Sequence, residues 1–160
     1  MRTVLFVSVA AACWLGGAPP ASAAESDSHT VTVQVTAINE IAVSGGNVTL
    51  TIDSATAATQ PLPALDSTTC DLLWTTNEAD KKITVATDLA APKFTLLLLA
   101  QNVSGGTAAP QVTLSTTAID LVTGVSQSVG SCDLAFVAFA TAAQGTGSDV
   151  HTITYTITAA

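Results

Sequence analysis

The stretch Cys70-Asp71-Leu72-Leu73-Trp74-Thr75-Thr76-Asn77 decides how this chain is expected to fold. Successive side chains of a β-strand point to opposite faces, so Cys70, Leu72 and Trp74 would share one face of an extended strand. These three side chains are apolar, and the other face carries Asp71, Leu73 and Thr75. The stretch therefore predicts a strand with one face buried in a core.

The first 23 residues have the pattern of a secretory signal peptide. Arg2 supplies the positive charge, an apolar run follows, and Ala21-Ser22-Ala23 is a small-residue cleavage site. The apolar run is too short to span a bilayer. A lipoprotein leader using Cys13 is disfavoured because the apolar run continues past that cysteine. We expect a single domain over residues 24 to 160, secreted, periplasmic or at the cell surface.

The second cysteine of the mature chain opens a run that matches the first. Cys132-Asp133-Leu134-Ala135-Phe136-Val137-Ala138-Phe139 places Cys132, Leu134 and Phe136 on one face. An exported chain meets an oxidising environment, where two cysteines 62 positions apart are expected to pair. The sequence therefore predicts a disulfide between Cys70 and Cys132 that ties two core strands together. The alternative is a pair of buried free thiols.

Composition narrows the range of partners. After the leader the chain has three lysines, no arginine and twelve acidic residues, a net charge of −9. A negative net charge of this size repels nucleic acid and anionic lipid, so we expect neither as a partner. No later segment is long and apolar enough to span a membrane. Threonine alternates with valine, isoleucine and leucine, which is typical of a half-buried sheet.

The N-terminal segment from Thr30 to Ala37 has a strict two-residue period. Val31, Val33, Val35 and Ala37 fall on one face, and the residues between them are polar. Such a strand can add to the sheet of another chain, with main-chain hydrogen bonds supplying affinity. Pairing within its own domain is the preferred interpretation, because an unpaired alternating strand is an association hazard.

Other segments continue the β pattern. Gly45-Gly46 lies between two apolar runs and predicts a tight hairpin. The run Leu96 to Leu99 is apolar on both faces, which predicts a central strand covered on both sides or a strand against a partner subunit. Helix signals are nearly absent. The sequence predicts an all-β fold, an antiparallel β-sandwich with immunoglobulin-like or Greek-key connections and one disulfide.

Few residues could support catalysis. The two histidines, His29 and His151, lie on or beside terminal strands, and no nucleophile elbow, zinc-protease motif or phosphate-binding loop is present. We therefore predict neither an enzyme nor a cofactor. The alternating Glu25, Asp27 and His29 could gather a metal, but a solvated tail explains them better.

Two further clusters have a structural and a functional interpretation. Asn77, Glu78 and Asp80 could ligate calcium but lack the spacing of an EF-hand loop, so a plain turn is preferred. Trp74 and Tyr155 could stack on sugars if they were exposed. Since Trp74 shares a face with Cys70, core packing is the better interpretation. No metal site is predicted.

The leader, the Thr/Val strand, the Gly-Gly hairpin and the closing strand Thr152-Ile153-Thr154-Tyr155-Thr156-Ile157-Thr158 give the chain a family likeness. It resembles small secreted bacterial β-sandwich surface proteins of the pilin-like and spore-coat-U-like types. The resemblance implies an immunoglobulin-like subunit that assembles at the cell surface through a terminal strand, its partner being itself or another surface subunit.

The function that we predict from sequence is thus structural or adhesive, at the cell surface. The alternative is an extracellular binding module for carbohydrate or another surface ligand, which would require exposed aromatic side chains or a calcium site.

Overall fold

A computed structural model describes residues 25 to 160. The chain divides into two units, residues Met1–Gln34 and Val35–Ala160. Residues 25 to 34 of the first unit contain no helix or strand, and the predicted signal peptide lies outside the described residues. All the strands described below belong to the second unit.

Ten strands and one short 3₁₀ turn make up the second unit. Their bounds are β1 Asn39–Gly45, β2 Ala64–Asp66, β3 Cys70–Thr76, β4 Lys81–Thr87, β5 Thr95–Ser104, β6 Thr107–Ala108, β7 Val112–Thr113, β8 Ile119–Val125, β9 Ser128–Phe139, the 3₁₀ turn Ala142–Gln144, and β10 Ile153–Ala159. The predicted all-β class is therefore confirmed. No helix among these residues is long and apolar enough to cross a membrane.

The strands form two antiparallel sheets. The larger sheet has the order β1-β3-β9-β5-β7, with β2 pairing the second half of β9. The smaller sheet has the order β10-β4-β8-β6. From β3 onward, consecutive strands alternate between the two sheets.

The core lies between the inner faces of the sheets, as the two cysteine runs predict. Leu72 is fully buried and Trp74 is 3% exposed on β3, while Leu134 and Phe136 are buried on β9. The smaller sheet contributes side chains that are also buried, namely Ile83, Val85, Leu121, Val122 and Val125. Burying a side chain of this size stabilises the fold by roughly 1.5–3 kcal/mol.

Two sequence predictions of local structure are wrong. The Gly45-Gly46 pair does not form a hairpin: β1 pairs with β3, and the residues after Gly46 form no strand until Ala64 apart from an isolated bridge at Ala55. Gly45 has φ +94°, and a side chain there would overlap the carbonyl oxygen of Thr69. The glycines therefore turn the chain away from β1 rather than back along it.

The second wrong prediction is that the segment from Thr30 to Ala37 pairs within its own domain. Residues 25 to 38 have no regular secondary structure, and Val31, Val33 and Val35 are 72%, 83% and 72% exposed. Alternation of valine and threonine is typical of a segment that can form a β-strand, but it does not specify which strand that segment pairs with.

The run Leu96 to Leu99 lies in a central strand. β5 is hydrogen-bonded to β9 on one side and to β7 on the other. Leu98 is fully buried in the core, while Leu97 and Leu99 on the outer face are half-buried. The inner face of β5 is apolar because it packs in the core, and neighbouring side chains partly cover its outer face.

Candidate assembly groove

Two strand edges face each other on one side of the sandwich. β1 ends the larger sheet and β10 ends the smaller one, so each has a backbone edge without a neighbouring strand among the described residues. The start of β10, around Ile153 to Tyr155, faces Ile41 to Val43 of β1. An unpaired edge is a template for another strand.

A groove of about 1270 Å³ opens beyond the end of β1. Residues 46 to 55 and residues 145 to 151, with the first half of β10, line its sides. Leu96, Leu134 and Phe136, whose side chains face inward from the larger sheet, line it as well. Small-molecule pockets are about 300–1,000 Å³, so this groove has room for a longer apolar occupant.

The segment from Asn47 to Asp53 is an uncompleted strand. Val48, Leu50 and Ile52 are half-buried, while the residues between them are exposed. Within the described part of the chain, residues 47 to 53 make no backbone–backbone hydrogen bond. The backbone groups of this stretch are therefore left to bond water or an added strand.

The predicted disulfide is not found: Cys70 and Cys132 are free, buried thiols. Cys132 lies directly opposite Leu72, so Cys70 is its diagonal neighbour. Diagonal positions on neighbouring strands are about 7–8 Å apart, whereas a disulfide needs Cα atoms closer than about 7 Å. The separation of the two cysteines in sequence, 62 positions, does not reveal that they are diagonal and not directly opposite on the paired strands.

The thiols lie near the groove. The Cys70 Sγ donates a hydrogen bond to the carbonyl oxygen of Gly46 at 2.8 Å, which holds the start of the uncompleted strand. Burial, followed by the nearby Asp133 carboxylate, raises the pKa of Cys132 to about 11. Burial also raises the pKa of Tyr155, whose side chain lines the groove. These groups stay neutral at ordinary pH, as an apolar environment favours.

Asn77 joins the residues just before β1 to the end of β3. Its Oδ1 accepts a hydrogen bond from the Ile38 N–H at 2.8 Å, and its Nδ2 donates to the Thr36 carbonyl oxygen at 2.7 Å. Its own N–H donates to the Ile38 carbonyl oxygen at 3.2 Å. These three bonds extend the pairing of β1 with β3 beyond its last ladder pair, Asn39 opposite Thr76.

A polar cluster supports this junction. The buried Thr76 hydroxyl donates to Asn39 Oδ1 at 2.7 Å, and Asn39 Nδ2 donates to Glu78 Oε2 at 2.5 Å. Lys81 lies 3.0 Å from the Glu78 carboxylate. The hydrogen bond from Asn39, and then the contact with Lys81, lower the pKa of Glu78. Asn77 and Glu78, for which the sequence favoured a plain turn over a calcium site, thus use their polar groups to hold strand ends.

The remaining sequence candidates are placed as follows. Trp74 is a core residue, as predicted, and not a surface platform. His151 lines the groove with its Nδ1 3.0 Å from the Thr87 hydroxyl. Glu25, Asp27 and His29 are exposed. In residues 25 to 160, no three His, Cys, Asp or Glu side chains are grouped so as to hold a metal.

Sequence reasoning missed two parts of this site. Val48, Leu50 and Ile52 lie in the apolar run that follows Gly45-Gly46, so the sequence predicts them in the second strand of a hairpin and not in a groove. Asn77 was considered only as a turn or calcium residue, since its partners lie about 40 positions earlier in the chain. The turn residues after a strand are the signal that could have pointed to it.

Comparison of the chain with protein-family models, with curated proteins and with solved structures finds no match.

Proposed function

We propose that this protein is a secreted structural or adhesive subunit of a cell surface, which assembles when Thr30 to Ala37 of one copy adds as a β-strand to the groove of another. The pilin-like and spore-coat-U-like resemblance implies the same mode of assembly. The leader pattern supports export, and the alternation of strands between two sheets supports Greek-key, immunoglobulin-like connections.

One observation carries the proposal: a groove flanked by unpaired backbone occurs in the same chain as an exposed, alternating apolar segment. The accepting stretch, residues 47 to 53, is seven residues long, and the donating stretch, residues 30 to 37, is eight. Strand addition would satisfy the backbone of both stretches and place three valines and an alanine among apolar groove residues. The donated segment thereby gains a paired backbone and a buried apolar face, and the accepting stretch gains a neighbouring strand.

The short connection between the donating segment and β1 favours insertion of this segment into the groove of another copy over insertion into the groove of its own chain. The donating segment is joined to β1 by Ile38 alone, and one residue spans at most about 3.6 Å. The seven residues of β1 separate this junction from Gly46, a length of about 23 Å at about 3.3 Å per residue. A hairpin back along β1 would bring only the first residues of the segment to the groove.

Assembly of this kind is head-to-tail. The donating segment and the groove are different surfaces, so each copy that accepts a strand still has its own strand to donate. Such a contact generates open filaments unless the rotation between copies closes a ring. A filament or ordered oligomer suits a structural surface protein.

The alternative, a carbohydrate-binding module, has less support. The tryptophan that would stack on a sugar is 3% exposed and packs in the core.

The test uses the secreted chain, residues 24 to 160. Its mass in solution is measured by light scattering, and the same sample is imaged by negative stain. We expect filaments or large ordered oligomers. Val33→Asp should prevent assembly because it places a charge in the apolar groove. The matched control Thr32→Asp, on the opposite face of the same segment, should assemble.

The acceptor side has its own matched pair. Leu50→Arg, which changes a half-buried groove residue, should prevent assembly, whereas Thr113→Arg, at an exposed position on β7 outside the groove, should not. A clean monomer at high concentration, with no binding of a synthetic peptide of residues 30 to 37, would overturn the proposal. Assembly that survives Val33→Asp would overturn it as well.

A further inference from the structure

Asn77 has a bonding pattern that its own turn does not need. The turn after β3 is closed by Thr76, whose hydroxyl accepts a hydrogen bond from the Glu78 N–H at 3.1 Å. An asparagine that served this turn would bond a backbone group about two residues further along. Instead, both polar atoms of the Asn77 side chain bond Thr36 and Ile38, which are about 40 residues earlier in sequence.

These bonds act on the end of the proposed donor segment. Thr36 belongs to Thr30–Ala37, and Ile38 is the residue that joins it to β1. With the Asn77 N–H bond to Ile38, three hydrogen bonds hold a stretch of three residues against the end of β3. β3 is itself paired on both edges, by β1 and by β9, so the anchor is rigid.

We infer that Asn77 is a positioning residue for assembly: it sets the direction in which the donor segment leaves its own subunit. This inference rests on the proposed function. Ordering a segment before it binds removes part of the entropy cost of binding. Without Asn77 the subunit would still fold and still accept a strand, but its own strand would be donated less tightly.

The donor and acceptor roles can be separated in two full-length variants. A copy with Leu50→Arg can only donate, and a copy with Val33→Asp can only accept, so their mixture gives a single one-to-one contact. The affinity of this pair is measured by calorimetry. Asn77→Ala is then introduced into one copy at a time, with Gln101→Ala, an exposed residue on β5, as the control.

The loss of affinity caused by Asn77→Ala should occur only when the donor copy carries the substitution. Asn77→Ala in the donor should weaken the pair about tenfold, equivalent to about 1.4 kcal/mol, while the same change in the acceptor should alter affinity less than about twofold. Asn77→Asp keeps the acceptor for the Ile38 N–H but loses the donor to the Thr36 carbonyl. It should give an intermediate loss, and it tests the inference again if the alanine variant folds poorly.

Two results would overturn the inference alone: an unchanged affinity when the donor carries Asn77→Ala, or an equal loss when the acceptor carries it. The second result would mean that Asn77 only stabilises the fold. If the parent donor and acceptor copies do not bind each other at all, the proposed function itself fails, and the role of Asn77 falls with it.

Discussion

Gly130 on β9 lies directly opposite Trp74 on β3, and the indole ring occupies the space where any other residue would have a side chain. A Cβ atom at Gly130 would overlap the ring carbons and the Nε1 of Trp74. The largest aromatic group of the described chain is thus accommodated by the absence of a side chain on the neighbouring strand.

This pairing predicts that Gly130→Ala destabilises the protein. Overpacking of a well-filled core costs about 1–3 kcal/mol, because the ring or the strand must move. The free energy of unfolding, measured by urea titration, should fall by that amount. Gly46→Ala is the matched control: a Cβ there meets no atom within 4 Å, so we expect a change within about 0.5 kcal/mol. Equal effects at the two glycines would contradict the prediction.

The uncompleted strand predicts a distinctive pattern of hydrogen exchange. Residues 47 to 53 lack backbone–backbone hydrogen bonds within the described chain, so their amides should exchange quickly in a non-assembling variant such as Val33→Asp. In assembled wild-type protein the same amides should be protected. Amides of β9, which is paired along both edges, should be protected in both samples. Exchange followed by mass spectrometry makes the comparison, and fast exchange of residues 47 to 53 in filaments would place the donated strand elsewhere.

The cysteines predict slow alkylation of the native protein. The reactive species is the thiolate, and a pKa of about 11 leaves Cys132 almost wholly protonated at pH 8. Burial raises the pKa of Cys70 as well. Iodoacetamide should therefore modify both cysteines only slowly in the folded state and rapidly in urea. A mass about two daltons lower, with no modification in urea, would instead show a disulfide and a shifted strand register.

Glu78 predicts a loss of stability at low pH. Its pKa is lowered in the folded state by the Asn39 hydrogen bond and by Lys81, so its contribution is present above the unfolded pKa, near 4.5. That contribution is lost as the pH falls through the lower, folded pKa. Glu78→Gln should reduce the fall in melting temperature between pH 6 and pH 3. Gln101→Ala, which changes an exposed residue on β5 and removes no carboxylate, is the control and should leave the slope unchanged.

Local patterns in the sequence determined the all-β class and the faces of the core strands. Cys70, Leu72 and Trp74 are buried and Leu73 is exposed, because alternation is a property of the strand itself. The central position of the Leu96 to Leu99 strand was one of two outcomes predicted for the same reason. These features depend on side chains no more than a few residues apart.

Tertiary structure alone decided which edges stay open and which residues meet there. The register of β3 against β9 sets the cysteines at a diagonal offset, and the turn at Gly45 sends Val48 to Ile52 to a groove rather than to a hairpin. The bonds from Asn77 to Thr36 and Ile38 likewise join residues far apart in sequence. Pairing between distant strands depends on the packing of the whole sandwich, because a β-strand pattern specifies faces and not neighbours.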